Sequence, residues 1–238
     1  MRLASLTSAL ILVGCASQGD EGMIVLNNTA VAGSSCMLTG DATQPFVSHG
    51  QIYAGATRGY TLTPLIQSRV TIGMTEGAQD LLQKTISLRG ADVQLTVKAT
   101  EILENGVYTT SSTERALPGF SVLFSGSLPP SGTVNVGFEV LTAAQIQNIV
   151  VTSGAAPSAT LRAEVLAEVT IHGDLGGDDV EASPFFFPIS VCTDCVVNNL
   201  GTCPILTTPR TGNACNPFQD GVLDCCTSGT ELICPATM

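Results

Sequence analysis

Along most of this chain, apolar and polar residues alternate in steps of two. Val93, Leu95 and Val97 fall on one side, with Gln94, Thr96 and Lys98 on the other. Phe120, Val122 and Phe124 repeat the pattern, as do Val134, Val136, Phe138 and Val140 beyond the Pro129-Pro130 break. The longest run is Leu161 to Ile171, which sets Leu161, Ala163, Val165, Ala167, Val169 and Ile171 against Arg162, Glu164, Glu168 and His172. Successive strand side chains point to opposite faces, so each run predicts a strand with one wet side. Shorter strands are predicted from Met23 to Leu26, ended by Asn27-Asn28, from Leu81 to Leu88, and from Arg58 to Gln67. In the last of these Tyr60, Leu62 and Leu65 point inward, and Pro64 forces an edge or a bulge. Asn105-Gly106 is a hairpin signal, since both residues tolerate positive φ. Ser183 to Val191 returns along the longest run after a turn at Gly173 to Asp179, with Pro188 at an edge or bulge.

One stretch breaks this rhythm. Thr142 and Gln145 have capping-box spacing, and Ile146, Ile149 and Val150 follow at helical intervals until Gly154 to Ser158. One short helix among roughly seven to nine strands predicts an all-β fold, an immunoglobulin-like β-sandwich. From Cys192 onward the periodicity stops and cysteines crowd in. A segment with so few apolar residues needs covalent staples to hold a shape, so 192–238 is predicted to be a small disulfide-rich module behind a body spanning 23–191.

The N-terminus has a different logic. Arg2 precedes the uncharged apolar run Leu3 to Val13, which has signal-peptide anatomy and is too short to span a bilayer permanently. Its end, Leu12-Val13-Gly14-Cys15, resembles the lipobox of bacterial lipoproteins. The resemblance implies cleavage after residue 14, acyl chains on Cys15, and a lipid bilayer as the partner reached through that cysteine. Residues 15–22 then form a lipidated cysteine and a polar tether that reaches about 25 Å when extended. Ala16 after the cysteine favours the outer membrane as the destination.

Nine cysteines sharpen the picture. Setting Cys15 aside, Cys36, Cys192, Cys195, Cys203, Cys215, Cys225, Cys226 and Cys234 form an even set, which in an exported chain reads as a disulfide framework. The C-terminal segment holds an odd number of them, so complete pairing requires Cys36 to reach into it. Cys192 or Cys195, at the end of the closing strand, is the expected partner. Adjacent Cys225 and Cys226 are expected to clamp two different segments. Two other uses of these thiols compete with the framework. Cys192-Thr193-Asp194-Cys195 has the spacing of a thiol-disulfide oxidoreductase pair but lacks the βαβ setting. Cys192 and Cys195 with Cys225 and Cys226 have the number needed for zinc.

The chain carries 9 Lys+Arg against 20 Asp+Glu, a net charge of −11, which argues against nucleic acid and anionic lipid headgroups as partners. Asp174, Asp178, Asp179 and Glu181 gather on a glycine-rich turn, and Asp220 and Asp224 lie in Asn216 to Cys225, a stretch similar to one degenerate thrombospondin type 3 repeat. These carboxylates suggest a calcium-dependent binding module as an alternative function. No G-x-S-x-G, H-E-x-x-H, G-x-G-x-x-G or phosphate loop occurs, and His49 and His172 sit in no metal-ligand motif. The sequence names no catalytic residue and requires no cofactor. Beyond the signal segment the chain resembles predicted lipoproteins of myxobacteria, on F-x-F-P-I-x-V-C-x-x-C at Phe185 to Cys195 and on C-N-P-x-Q-D and D-C-C within Cys215 to Cys226. That group supplies no activity. The reading is a lipid-anchored cell-envelope protein with a structural or binding role, its partner an envelope protein or glycan.

Overall fold

The computed structural model describes residues 22–31, 36–71, 84–156, 158–205, 208–229 and 231–235. Over these residues its architecture is an immunoglobulin-like all-β sandwich with one short helix and a small disulfide-rich module at the C-terminal end. The signal segment, Cys15, Ser34-Ser35 and the first three residues of the strand expected over Leu81 to Leu88 lie outside the described residues, and Ile86 to Leu88 open β6.

The larger sheet is built on the two longest alternating runs. β6 (Ile86–Glu104) and β11 (Thr160–Leu175) lie antiparallel, with Val93 opposite Val169, Leu95 opposite Ala167 and Val97 opposite Val165. β13 (Phe185–Cys192) returns along β11, and β3 (Gly50–Tyr53) joins it in parallel. On the other flank, β8 (Arg115–Leu128) covers the first part of β6, and β7 (Val107–Ser111) covers its far end. The hairpin between β6 and β7 turns on Asn105 (φ 50°) and Gly106 (φ 80°), the positive φ pair the sequence signals.

The facing layer comprises β1 (Met23–Thr29), β2 (Phe46–Val47), β5 (Pro64–Ser68) and β9 (Thr133–Asn135) in the order β2-β1-β5-β9, together with the pair β4 (Tyr60–Leu62) and β10 (Phe138–Leu141). The inward residues of both layers merge in one core that includes Met23, Tyr60, Leu62, Ile66, Val93, Leu95, Val165, Val169, Phe187 and Ile189. Burying each such side chain contributes about 1.5–3 kcal/mol, so the alternation is also the main source of stability. Gly50 is required by close approach: a Cβ there would lie 2.5 Å from the Tyr60 ring.

The helix α1 (Ala143–Ser153) starts at a complete capping box. Thr142 Oγ1 accepts from Gln145 N at 3.2 Å, and Gln145 Oε1 accepts from Thr142 N at 2.8 Å. Ile146 and Ile149 bury its inner face, and Gly154 closes it at φ 72°.

Several local expectations are corrected. Asn27-Asn28 does not turn the chain. β1 runs through both, because buried Asn28 Oδ1 accepts from Thr63 N at 2.7 Å and so replaces a ladder bond. The run from Arg58 to Gln67 is two strands, β4 and β5, in different sheets, with Pro64 as the first residue of β5. Val134 to Val140 is likewise divided between β9 and β10. The acidic turn is tighter than expected: β11 continues to Leu175, and β12 (Asp178–Glu181) pairs back at once around Gly176-Gly177. Pro188 lies just outside the residues of β13 that β3 covers.

The C-terminal module has its own three-stranded sheet, β14 (Val197–Thr202), β15 (Leu223–Ser228) and β16 (Glu231–Ile233). Its separate core is small: Ile205 and Cys226, flanked by Cys203 and Ile233. Four disulfides join Cys36 to Cys215, Cys192 to Cys195, Cys203 to Cys226 and Cys225 to Cys234. Cys36 does cross into the module, but to Cys215. Cys192 and Cys195 are bonded to each other, so neither is free to meet it.

Candidate binding face

The segment Cys215 to Asp220, singled out in sequence as C-N-P-x-Q-D, fills one edge of the sandwich. Tyr53 N donates to Phe218 O and Asp220 N to Gln51 O, both at 3.0 Å, so the segment extends the large sheet beyond β3. Its side chains complete the other layer. Gln219 Oε1 accepts from Thr61 N at 2.8 Å while Gln219 Nε2 donates to Thr61 O at 3.0 Å, which mimics one ladder step of a missing strand beside β4. Asn216 Nδ2 donates to Gly59 O at 2.7 Å. Asp220 accepts from Gln51 N at 2.7 Å and from the Tyr60 hydroxyl at 2.6 Å. Burial pushes the Asp220 carboxyl above its ordinary range, against the hydrogen bonds that favour the anion. The same burial, together with the neighbouring Asp220 charge, pushes Tyr60 up as well.

Most of the calcium candidates are engaged by other protein groups. Asp220 is occupied by Tyr60 and Gln51. Asp224 accepts from Arg210 Nη2 and Asn198 Nδ2, both at 2.7 Å, and the Arg210 hydrogen bonds hold its carboxyl below the usual range. At the β11–β12 turn, Arg89 spans Asp174 and Asp179 at 2.8 Å each, and Glu181 lies 3.3 Å from His172. Asp178 is exposed, one strand register from the others. Among the described residues, no group of three His, Cys, Asp or Glu side chains is arranged to hold a metal. The sequence shows the carboxylates; it does not show that Arg89, Arg210, Tyr60 and Asn198 fold onto them.

The structure does assemble a constellation that the sequence leaves unseen. His49 Nε2 lies 2.6 Å from Ser190 Oγ and 3.4 Å from Glu164 Oε2, and Ser190 Oγ donates to Glu164 Oε1 at 2.6 Å. The residue types are those of a serine nucleophile with its base, but the connectivity is wrong for one. A carboxylate only accepts, so the serine proton is directed to Glu164, and imidazole Nε2 serves both partners. Ser190 is also only 5% exposed. The cluster ties β13 to β11 and to the chain entering β3.

Cys192 is 0% exposed. A thiol exchange centre needs an attackable sulfur, which Cys192 does not offer, while its partner Cys195 is half-buried. The bond fixes the loop carrying Asp194. Thr193 adds two clamps, donating its N–H to Leu161 O and accepting at Oγ1 from Leu161 N, each at 3.0 Å.

That loop overhangs a cleft of about 170 Å³ lined by Glu101, Leu103, Tyr108, Thr160, Arg162 and Asp194. Strand register brings these together: Glu101 is opposite Arg162, Thr160 is opposite Leu103, and Leu103 is opposite Tyr108. Leu103 is half-buried, while Tyr108 is 73% exposed at the rim. No hydrogen bond or ion pair engages the side chains of Glu101, Arg162 or Asp194 among the described residues. A larger opening of about 420 Å³ lies where β8 bulges away from β6 around Leu117 to Phe120, but it is shallow, and its one charge, Asp92, is engaged by Ser121 and His172.

The cleft and the chain entry are at opposite ends. Gly22 packs against Ile86 and Val180, and Met23 bridges to Ala182, beside the β11–β12 turn. From there β11 and β6 run to Thr160 and Leu103, about fifteen residues or roughly 50 Å away at strand rise.

No family model matches this chain, and no curated protein matches it. Among solved structures it is similar to a protein from Archaeoglobus fulgidus, at 13% identity and TM-score 0.33, over 59% of this chain and 94% of that one. It is also similar to a sporulation control protein from Bacillus subtilis, at 9% identity and TM-score 0.21, over 60% of this chain and 50% of that one.

Proposed function

We propose that this protein is an exported, lipid-anchored component of the bacterial cell envelope with a non-enzymatic structural or binding role. Cysteine pairing carries the reading. Eight of the nine cysteines are consumed in four disulfides, a usage suited to an oxidising compartment. The cysteine left over is Cys15, the one at the acylation position of the lipobox-like segment. The outer membrane is the destination we propose, on Ala16. An anchored chain entering at Gly22 holds the β11–β12 turn near the bilayer and presents the far end, with the Tyr108 cleft, away from it. This orientation favours a binding role over a purely structural one.

Membrane fractionation of the full chain and its Cys15→Ser variant tests the anchor. Native protein is expected in the membrane pellet and the variant in the soluble fraction. Equal pelleting of both would remove the anchor.

A further inference from the structure

We infer that the distal cleft is a saccharide-binding site, seating one sugar ring of a glycan chain between Tyr108 and Asp194. This deepens the envelope-binding reading and rests on it for biological meaning, though not for its test.

The chemistry of the lining selects the ligand class. Tyr108 sits at the rim with its side chain largely in solvent, available to the apolar C–H face of a pyranose. Leu103 forms the floor. Around it stand one guanidinium, two carboxylates and the Thr160 hydroxyl, with no partner engaging Glu101, Arg162 or Asp194 among the described residues. Charged side chains at such a face ordinarily pair across strands, and Glu101 and Arg162 are directly opposite each other without forming a bridge. Sugar hydroxyls donate and accept at once, so they use a mixed set of carboxylates and guanidinium fully. A simple anion would meet Glu101 and Asp194, and a simple cation would meet Arg162. The volume is below the roughly 300–1,000 Å³ of pockets that enclose drug-sized ligands and suits a single ring, the rest of the chain lying in the open.

Position and rigidity support the assignment. Asp194 is the one lining residue outside a strand, and it is fixed by the Cys192–Cys195 bond and both Thr193 hydrogen bonds. Beyond Tyr108, the exposed hydroxyl of Thr110 lies on the same face of β7, opposite Glu101, where a neighbouring sugar unit would pass.

The test uses the mature protein as purified, in detergent, with N-acetylglucosamine trisaccharide and maltotriose as probes, read by saturation-transfer NMR and calorimetry. At least one probe is expected to bind with a Kd on the order of 1 mM, as befits one ring in an open cleft. Tyr108→Ala is expected to weaken binding by about tenfold. Arg162→Ala is expected to weaken it by a similar or smaller factor, and Leu123→Ala, on β8, to leave it unchanged. Thermal melts establish that the variants are folded. Failure of both trisaccharides to bind, or binding indifferent to Tyr108→Ala and Arg162→Ala, overturns the proposal. Detergent removes any dependence on the anchor, so this result and that of fractionation are separable.

Discussion

The sandwich body and the C-terminal module are held together by different physics. In the body, apolar residues at every second position feed one continuous core. In the module, the separate cluster of Ile205 and Cys226 with its half-buried neighbours is a core too small to offset chain entropy, and three of the four disulfides lie wholly within residues 192–234. Where burial is plentiful the chain has almost no cysteine; where it is scarce the chain relies on covalent bonds. The two regions meet at Cys215 to Asp220, which is covalently tied to Cys36 and hydrogen-bonded into both layers.

The strongest way to break this contrast is to open the disulfides selectively. Cys36→Ser with Cys215→Ser removes the longest loop closure, spanning 179 residues, worth at most about 5 kcal/mol in the chain-entropy account. Denaturant unfolding followed by intrinsic fluorescence and circular dichroism should show a large fall in midpoint. Cys203→Ser with Cys226→Ser opens only a short loop and should instead abolish hydrogen-exchange protection of β14 to β16 while leaving β6 and β11 protected. Equal loss in body and module would show that they are one cooperative unit.

A smaller effect is expected at the junction. Gln219→Ala leaves Thr61 N and Thr61 O without partners at a part-buried edge, at a cost of about 1–3 kcal/mol. Exchange at Thr61 should accelerate more than at β11. A cost near zero would mean water replaces the amide and the segment is only tied by its disulfide.

The smallest effect is a pH dependence at Asp220. Its folded carboxyl titrates above the ordinary value, so its contribution to stability is fully present below that value and is lost as pH rises through the raised one. The melting temperature of native protein minus that of Asp220→Asn should therefore grow as pH falls from neutral toward 4, and then flatten. Asp224, held low by Arg210, has the opposite sign: its contribution is present above the ordinary carboxylate range and is lost only in strong acid. A flat difference for Asp220→Asn would show that its burial is relieved in solution.

The same contrast governs what the sequence reveals. Val93 to Val97 and Leu161 to Ile171 announce their strands because burial imposes a period, and Thr142 with Gln145 announces the helix because capping is local. Cysteine parity sends Cys36 to the C-terminal module, but the choice of Cys215 depends on which loop ends lie close in space. Gln219 gives no signal as a strand mimic, since side-chain-to-backbone pairing leaves no periodic trace. Asp220 and Asp224 read as calcium ligands because their partners lie far off, Tyr60 at 160 residues and Arg210 at 14. The Tyr108 cleft is equally silent: Glu101 and Arg162 become neighbours only through β6–β11 register.

The Cys36–Cys215 link and the Gln219 insertion have a consequence for the order in which the molecule is made. Ribosomes release the chain from its N-terminus, so β3 and β4 emerge long before residues 215–220 exist. Throughout that interval the strand edges that those residues will cover stand open, and unpaired edges recruit foreign strands. The nascent protein therefore passes through a stage in which it is most adhesive at the place where the finished protein is most securely closed. A chain truncated before Cys215 would be arrested at that stage.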